Sequence, residues 1–367
     1  MRVLIFSDLH GHAFKSYSVP DQKTGLSSRL MDSIRVLDEI YKICYQHGVD
    51  VVLFGGDLYH IRTPITVSTF NAIHESIAKI RTVAHVGLLV GNHDQSNRAG
   101  DIHSISTYKA VVEVFDRPAW YTLPGDLHVY AVPYMENKTD ISVAIQQGVQ
   151  TKPAGTTVLL GHFDLSGAKA GANFVRIAND APTTLDLQAD NFDQIFLGHY
   201  HIPQKLLANA RYIGATHHHN WGDVGQDRGY WMWDTEQGCE FSEPDLVQIA
   251  SAPKFQMVHH KDLSKVPGNA IKNTFLRVVY DAAPTKEQWD LAVESIAQFN
   301  PRWVDYYLEP SKISSAHTGA TLFHPGQDFD TMVTEYSKKN CPDKLDAEIL
   351  AELGHELLQL ARGDEAC

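Results

Sequence analysis

Residues 86–94 read VGLLVGNHD, a short apolar run that stops at a glycine followed by three polar side chains. A similar apolar run stops at Ser7-Asp8 in RVLIFSDLH at 2–10, and another stops at two glycines and Asp57 in VVLFGGD at 51–57. Between these runs, apolar residues recur at helical spacing from Leu30 to Cys44, ending at Gly48, and again from Phe70 to Ile80. This alternation of strand and helix predicts a parallel sheet covered by helices.

The rest of the chain continues with strand patterns and then changes character. Further strands are predicted at 127–132, 157–160, 195–197, 212–213 and 230–233. After residue 250 we predict strands at 255–258, 274–280 and 303–308, with one helix at 286–299. Two amphipathic segments follow, one from Phe329 to Tyr336 and one from Ile349 to Leu360. We therefore predict a main domain at 1–250, a small α+β capping domain at 251–325 and a C-terminal helical segment at 326–367.

Composition excludes several classes of protein. The chain has 367 residues, of which 43% are hydrophobic and 20% charged, which is typical of about two globular domains. No apolar run has the length of a membrane span, and the four cysteines contain no CxxC pair, so we expect a protein of the reducing cytoplasm without a membrane segment. The net charge of −13 shows no excess of basic residues of the kind that indicates nucleic-acid binding.

Histidine is the anomaly of the composition. The chain has 20 histidines, against 15 Phe and 15 Tyr, and most precede residue 220. Five polar clusters follow predicted strands: Asp8-Leu9-His10, Gly56-Asp57, Gly91-Asn92-His93-Asp94, Gly161-His162 and Gly198-His199-Tyr200-His201. Ligands of an open α/β sheet bind beyond the carboxyl ends of its strands, so we expect these clusters to converge. The D-x-H and H-x-H pairs suit extended segments, where residues i and i+2 point the same way. A glycine before a cluster allows close backbone approach.

The clustered side chains predict a dinuclear metal site. Carboxylate, amide and imidazole ligands without a thiolate suit Mn, Fe or Zn better than Mg or Ca. Seven candidates are too many for one catalytic metal, but two metals that share a carboxylate account for all of them. We predict Asp8, His10, Asp57 and His201 on one metal, and Asp57, Asn92, His162 and His199 on the other.

Each of these residues has an ordinary structural explanation when it is taken alone. An isolated Asp at a strand end is usually a cap or turn residue, and an isolated His162 is usually a satisfied or surface histidine. The occurrence of all five clusters at successive predicted strand ends favours metal binding over these separate explanations. For the run His217-His218-His219, we expect a solvated loop near the site in preference to a third metal site. For His12 the sequence leaves two alternatives, a polar contact near the metals and a solvent-exposed side chain.

The motifs resemble those of the calcineurin-like metallophosphoesterase superfamily over residues 1 to 235. The resemblance implies a four-layer α/β/β/α core with two metals. It also implies a catalytic role for His93, held by Asp94, in assisting charge development on a phosphate or in protonating the leaving oxygen.

Further residues resemble a narrower group. Gly56-Asp57-Leu58-Tyr59-His60 is similar to the GDLFH block of the Mre-eleven/SbcD nucleases, in which the histidine steers DNA. The stretches 212–215 and 228–234 are similar to the small subunit of phage recombination nucleases.

This resemblance implies a nuclease that depends on manganese and acts as a double-strand exonuclease and single-strand endonuclease. It further implies a Rad-fifty-type (SbcC-like) coiled-coil ATPase partner bound through the C-terminal helices, and a homodimer through helices near 65–81 and 103–115. The expected setting is the bacterial cytoplasm, with a phage gene as one possible origin.

Two other functions compete with the nuclease interpretation. A stand-alone metallophosphoesterase for a cyclic nucleotide or small phosphoester fits the net charge of −13 and needs no partner. A non-enzymatic scaffold is disfavoured because every predicted ligand position is filled. From the residues alone, the C-terminal segments either pack on their own domain or bind a partner.

Overall fold

The structure is a computed structural model that describes residues 1–97, 100–171, 174–236, 238–309, 333–334, 336–338 and 346–364. The chain divides into two compact units, Met1–Leu308 and Glu309–Cys367, which are described separately. Among the described residues, no helix is both long enough and apolar enough to cross a membrane.

The first sheet has six strands. They are β1 (Arg2–Phe6), β2 (Val51–Phe54), β3 (His85–Leu89), β4 (Glu113–Phe115), β13 (Tyr230–Asp234) and β14 (Asp245–Val247). Their order is β14-β13-β1-β2-β3-β4, with β1 to β4 parallel and β13 antiparallel to β1. The connecting helices are α1 (Ser28–His47) and α2 (Val67–Arg81). Gly48 ends α1 in the left-handed conformation, with φ 61°, which glycine adopts without strain.

The second sheet also has six strands. They are β5 (Ala119–Leu123), β6 (Leu127–Val132), β7 (Thr156–His162), β10 (Gln194–Gly198), β11 (Gln204–Lys205) and β12 (Ala210–Tyr212). Their order is β11-β12-β10-β7-β6-β5, and β6, β7, β10 and β12 are parallel. Helix α3 (Lys138–Gln150) connects β6 to β7, and a small hairpin of β8 (Lys169–Gly171) and β9 (Phe174–Val175) lies between β7 and β10.

Alternating side chains show how the layers pack. In β1, Val3 and Ile5 pack toward the second sheet, whereas Leu4 and Phe6 pack toward α1 and α2. In β7, Leu160 belongs to the core between the sheets and Leu159 to the core under α3. Because strands buried on both faces must be apolar throughout, these short runs lack a polar alternation. The fold is therefore the expected four-layer α/β/β/α core.

The region after residue 250 forms a smaller sheet that we call the cap sheet. Its strands β15 (Lys254–His259), β16 (Thr274–Tyr280) and β17 (Trp303–Leu308) are all parallel. Helices α4 (Gly268–Ile271) and α5 (Lys286–Ala297) connect them, and Ile296 of α5 is buried in its core. The cap sheet contacts the main core where the Arg277 guanidinium lies 3.8 Å from the ring centre of Trp221. The strands and helix expected here are present, and the domain boundaries at 250 and 325 stay predictions.

The second unit contains helix α6 (Ala347–Asp364). Its Gly354 packs closely on Val333, since a Cβ there would lie 2.6 Å from Val333 Cγ1. Ile349 and Leu353 are 58% and 52% exposed. Residues 329–332 and 335 of the first predicted amphipathic segment, and the side chains of Leu357 and Leu360, lie outside the described residues.

The structure corrects two expectations about helices. Residues 103–115 do not form a helix of that length, because they contain only a 3-10 helix at Ser106–Ala110 followed by β4. Helix α3 was not predicted, although Ile141, Ala144, Ile145 and Gly148 carry its buried face at helical spacing. The N-cap of α3 is Asn137, whose side chain accepts from the Thr139 N–H.

The core between the sheets gives a stability prediction. Leu160 is fully buried there, so we expect Leu160→Ala to lower the free energy of unfolding by about 2–5 kcal/mol through lost burial and a residual cavity. The control is Leu185→Ala, because Leu185 is 88% exposed. Chemical denaturation followed by tryptophan fluorescence measures both, and equal stabilities of the two variants would contradict the layer assignment.

Candidate metal centre

The predicted clusters lie together at one edge of the paired sheets. Five parallel strands, β1, β2 and β3 of the first sheet and β7 and β10 of the second, end at this edge. The structure therefore brings all seven predicted metal ligands into one place, although they span residues 8 to 201. Asp8, His10, Asp57 and His162 are buried, whereas Asn92, His199 and His201 are partly open to solvent.

One group of side chains, which we call the His10 lobe, consists of Asp8, His10 and His201 together with Asp57. His10 Nε2 lies 3.0 Å from His201 Nε2 and 3.6 Å from Asp57 Oδ2. Asp8 Oδ1 is 4.0 Å from the same His10 nitrogen. Burial lowers the pKa of His10 well below its ordinary value, so this imidazole is neutral and can offer a lone pair.

The second group, the His162 lobe, consists of Asn92, His162 and His199 together with the same Asp57. His162 Nε2 lies 3.4 Å from Asp57 Oδ1 and 3.0 Å from Asn92 Oδ1. His199 Nδ1 lies 3.0 Å from the same Asn92 oxygen. His162 donates its other ring N–H to the Gly55 carbonyl at 2.7 Å, which is the usual way in which a metal-binding histidine is oriented.

Asp57 lies between the two lobes, with Oδ2 toward His10 and Oδ1 toward His162. Burial alone would raise the pKa of Asp57, but the neighbouring imidazoles of His162 and His10 lower it below its ordinary value. Burial opposes a charge on His162 as well, but Asp57 raises the pKa of His162 to about 9. A buried carboxylate that draws a proton onto its neighbour is an anionic centre that divalent cations can neutralise instead. The donor set therefore fits two metal ions that share Asp57.

The backbone here is not extended, and this corrects the reason given for the D-x-H and H-x-H pairs. Asp8, His10, Asp57 and His199 all have positive φ, at 51°, 47°, 61° and 95°. Such conformations are costly for residues with a side chain and concentrate at functional sites. The paired side chains meet because the strands end in tight left-handed bends.

Two glycines allow the bends to approach one another. A Cβ on Gly91 would lie 2.2 Å from Asp57 Oδ1, and a Cβ on Gly56 would lie 2.3 Å from His162 Nδ1. The expected role of glycine in close backbone approach is confirmed at both positions.

Asp94 does not contact His93 in the way that we expected. Its buried carboxylate accepts the backbone N–H groups of Asp57, Leu58, Tyr59 and Gly91 at 2.9–3.3 Å. Burial and the Asp57 carboxylate raise the pKa of Asp94, and these N–H donors oppose the rise by stabilising the anion. Asp94 therefore fastens the two ligand-bearing loops together.

His93 is oriented by a different residue. Its Nδ1 lies 2.5 Å from the carbonyl oxygen of His60, so Nδ1 carries the hydrogen and Nε2 is left available. The His93 ring packs edge-on against His10 with ring centres 4.8 Å apart, and it stacks on the His60 ring at 5.7 Å. Burial, together with the neighbouring imidazole of His93, lowers the pKa of His60 to about 4. His60 is therefore a neutral imidazole beside the His10 lobe.

Sequence reasoning missed Asp164, which lies near His199. Asp164 Oδ1 accepts a short hydrogen bond from His199 Nε2, and its other oxygen pairs with Arg176 at 2.6 Å. The available signal was its place two residues after His162.

The triple histidine lies near the site, as expected, but the expectation of a solvated loop is wrong. His217, His218 and His219 are 4%, 4% and 9% exposed. His12 is only partly exposed, and its ring packs against Phe14 with centres 4.6 Å apart.

A four-layer α/β/β/α core that carries a two-lobed His, Asp and Asn group at its strand ends defines the class of dinuclear metallophosphoesterases. The model of the calcineurin-like phosphoesterase family matches residues 1–203, which is more than half of the chain. The protein therefore belongs to this family, whose members use two divalent metals.

Two relatives add detail. The chain is 27% identical over 203 residues to exonuclease subunit 1 of Enterobacteria phage T4, covering 52% of this chain and 55% of that protein. It is 22% identical over 167 residues to the DNA double-strand break repair protein Mre11 of Saccharolobus solfataricus, covering 44% of this chain and 40% of that protein. The matches thus span about half the length of these relatives.

Gly91 offers a test of the site geometry. Gly91→Ala places a methyl group where Asp57 Oδ1 lies, so we expect the variant to lose most metal binding while the core stays folded. Metal content per chain after dialysis against MnCl2 measures the effect. The matched control is Gly171→Ala, whose Cβ would come no closer than 3.7 Å to the described residues around it, at Phe174 Cβ. Full metal content in Gly91→Ala would contradict the proximity of Gly91 and Asp57.

Proposed function

We propose that the chain is the nuclease subunit of an SbcCD-like complex. It hydrolyses DNA phosphodiesters with two divalent metal ions, and manganese is the metal that we expect. In this proposal Asp8, His10, Asp57 and His201 hold one metal, and Asp57, Asn92, His162 and His199 hold the other. The observation that carries it is the Asp57 carboxylate, whose two oxygens face two separate lobes 3.6 and 3.4 Å from an imidazole nitrogen.

When bound, two such metals supply a hydroxide nucleophile and stabilise both oxygens of an in-line displacement at phosphorus. The chain's own residues hold and orient the substrate. His93 keeps its hydrogen on Nδ1 through the His60 carbonyl. A proton taken up at Nε2 therefore points away from that carbonyl and can serve a phosphate oxygen or the leaving group. His60 lies beside His93, where it can guide the DNA backbone.

Two observations favour DNA over a small phosphoester. The two relatives are by name an exonuclease subunit and a double-strand break repair protein. The block Gly56 to His60 resembles that of the DNA repair nucleases, and stacking of the His60 ring on that of His93 supports a role for His60 beside the proposed metals. The combined activities of double-strand exonuclease and single-strand endonuclease follow from this resemblance.

The alternative is a stand-alone phosphoesterase for a cyclic nucleotide or small phosphoester. Net charge favours it, because −13 repels the DNA backbone unless a partner contributes positive charge. The two functions differ in the substrate that fits, not in the metal chemistry.

A substrate comparison separates the two functions. We expect the chain with Mn to degrade end-labelled duplex DNA and to cut circular single-stranded DNA, with EDTA abolishing both activities. The comparison substrate is bis-nitrophenyl phosphate, which reports metal-dependent hydrolysis without DNA binding. Hydrolysis of this ester together with intact DNA, in the presence and absence of the ATPase partner, would contradict the nuclease function.

His93 should separate chemistry from metal binding. We expect His93→Gln to lower both exonuclease and endonuclease rates by about a hundredfold to ten-thousandfold, the usual effect of removing a positioned acid or base. Metal content should stay that of the wild type, since His93 is outside both lobes. The companion variant His60→Ser should lose chiefly the exonuclease. Loss of a metal from His93→Gln would make His93 a ligand and overturn this role.

We further propose that the C-terminal segment binds the coiled-coil base of an SbcC-like ATPase. Support comes from Ile349 and Leu353, which lie one helical turn apart on α6 and are both more than half exposed. The sequence from 328 to 367 carries four basic and ten acidic residues, which suits a basic receiving surface.

A pair of substitutions tests this surface. We expect Ile349→Glu with Leu353→Glu to abolish co-elution with a purified SbcC-like ATPase, while metal content and ester hydrolysis are retained. The control pair Glu348→Gln with Glu352→Gln lies on the same helix without removing apolar area. If the Ile349→Glu, Leu353→Glu variant co-elutes with the ATPase as fully as the wild type does, the apolar face of α6 does not bind this partner.

We propose that the protein acts in the cytoplasm of a bacterial cell.

We also propose a homodimer that forms through helix α2. Residues 103–115, the other expected dimer segment, form no helix of the expected length. The exposed Val67 at the start of α2, 75% accessible, supports that surface.

A further inference from the structure

The three consecutive histidines at 217–219 are buried next to the metal centre but belong to neither lobe. Their rings serve different neighbours. His217 Nδ1 lies 2.9 Å from the Thr216 hydroxyl. His218 Nδ1 accepts the Phe255 N–H of the cap sheet at 3.1 Å, and its Nε2 donates to the Gln226 carbonyl at 2.8 Å. His219 alone turns toward the proposed ligands.

His219 holds the backbone of Asp8. Its Nε2 lies 3.0 Å from the Asp8 carbonyl oxygen, and since a carbonyl only accepts, Nε2 carries the hydrogen. The other ring nitrogen is buried and makes no hydrogen bond among the described residues. The ring centre is 5.1 Å from those of both His10 and His201, so His219 packs directly against the His10 lobe.

Asp8 needs this support because its backbone is in the left-handed region, with φ 51°. Its N–H donates to the Gly56 carbonyl at 3.0 Å, and its carboxylate accepts the His199 N–H at 3.2 Å. The donor from His219 fixes the remaining polar group of the residue. A buried carbonyl that loses its donor pays the full desolvation penalty, and rotation of the peptide to find another donor would move the carboxylate.

The backbone of His219 is itself fixed by two further contacts. Its N–H donates to Asp223 Oδ2 at 2.7 Å, and its carbonyl accepts from Arg29 Nη2 at 2.9 Å. The buried Arg29 guanidinium lies 4.8–5.3 Å from the rings of Phe14, Phe255 and Phe275. Both backbone polar groups of His219 are therefore held by buried protein contacts.

We propose that His219 is a positioning residue of the His10 lobe, which sets the Asp8 carboxylate by donating a hydrogen bond to the Asp8 carbonyl and so raises metal affinity in that lobe. The inference rests on the metal assignment of the proposed function. It gives the triple histidine a role at the metal centre without making it a third metal site.

The test compares manganese affinity of the whole chain, freed of metal, by calorimetric titration with MnCl2 in the absence of DNA. We expect His219→Leu to weaken the affinity of one site by about 10- to 100-fold, the usual effect of removing the group that orients a ligand. His219→Gln keeps a nitrogen donor at the same reach, so its affinity should stay within about threefold of wild type. The control is His218→Leu, which removes an adjacent and equally buried ring but leaves the Asp8 carbonyl bonded.

Three results would overturn the proposal: unchanged affinity in His219→Leu, an equal loss in His218→Leu, or failure of His219→Gln to restore affinity. The melting temperatures of the metal-free variants identify any general loss of folding, and the Gln variant decides the question if the Leu variant unfolds. Because the titration contains no DNA, a chain that binds manganese normally but cleaves no DNA contradicts the nuclease function alone. A manganese affinity that does not change with the side chain at residue 219 contradicts the positioning role alone.

Discussion

The carboxylate of Asp57, placed between two groups of imidazoles, is the interaction on which the rest of the centre depends. Its two oxygens divide the other six proposed ligands into two lobes, and its charge raises the pKa of His162. Asp57 cannot take this position by itself. The Asp94 carboxylate accepts the N–H of Asp57 and that of Gly91, and so fastens two loops that are 34 residues apart in the chain, counting from Asp57 to Gly91.

The four-layer core supplies the rigidity that this arrangement requires. Four of the proposed ligands have positive φ, a conformation that costs of order 1–3 kcal/mol per residue and persists only when the surroundings enforce it. The strands before them are buried on both faces, with Val3 and Ile5 against one layer and Leu4 and Phe6 against another. Packing of this kind can sustain strained strand ends, and the strain aims the side chains into one site.

Much of this could be predicted from the sequence, for identifiable physical reasons. Short apolar runs that end in a glycine and a polar residue locate both the strands and the ligands. Buried strands accept few residues other than apolar ones, and loops whose backbones lie close together accept few residues other than glycine. Strand β6 at Leu127–Val132 and strand β16 at Thr274–Tyr280 have the predicted bounds. Contacts across the fold were not predictable, since they depend on where loops meet. Asp94 bonds to backbone groups near Asp57 instead of to His93, and His219 is buried against Asp8 although a polar run of three histidines suggested a solvated loop.

The most direct test of the shared carboxylate is the electron paramagnetic resonance spectrum of the chain loaded with Mn(II). Two manganese ions that share a carboxylate are magnetically coupled, whereas separate ions give the simple six-line signal of isolated Mn(II). We expect a coupled spectrum from the wild-type chain and its disappearance in Asp57→Asn. An isolated six-line spectrum from a fully loaded wild-type chain would contradict the claim that Asp57 joins two metals.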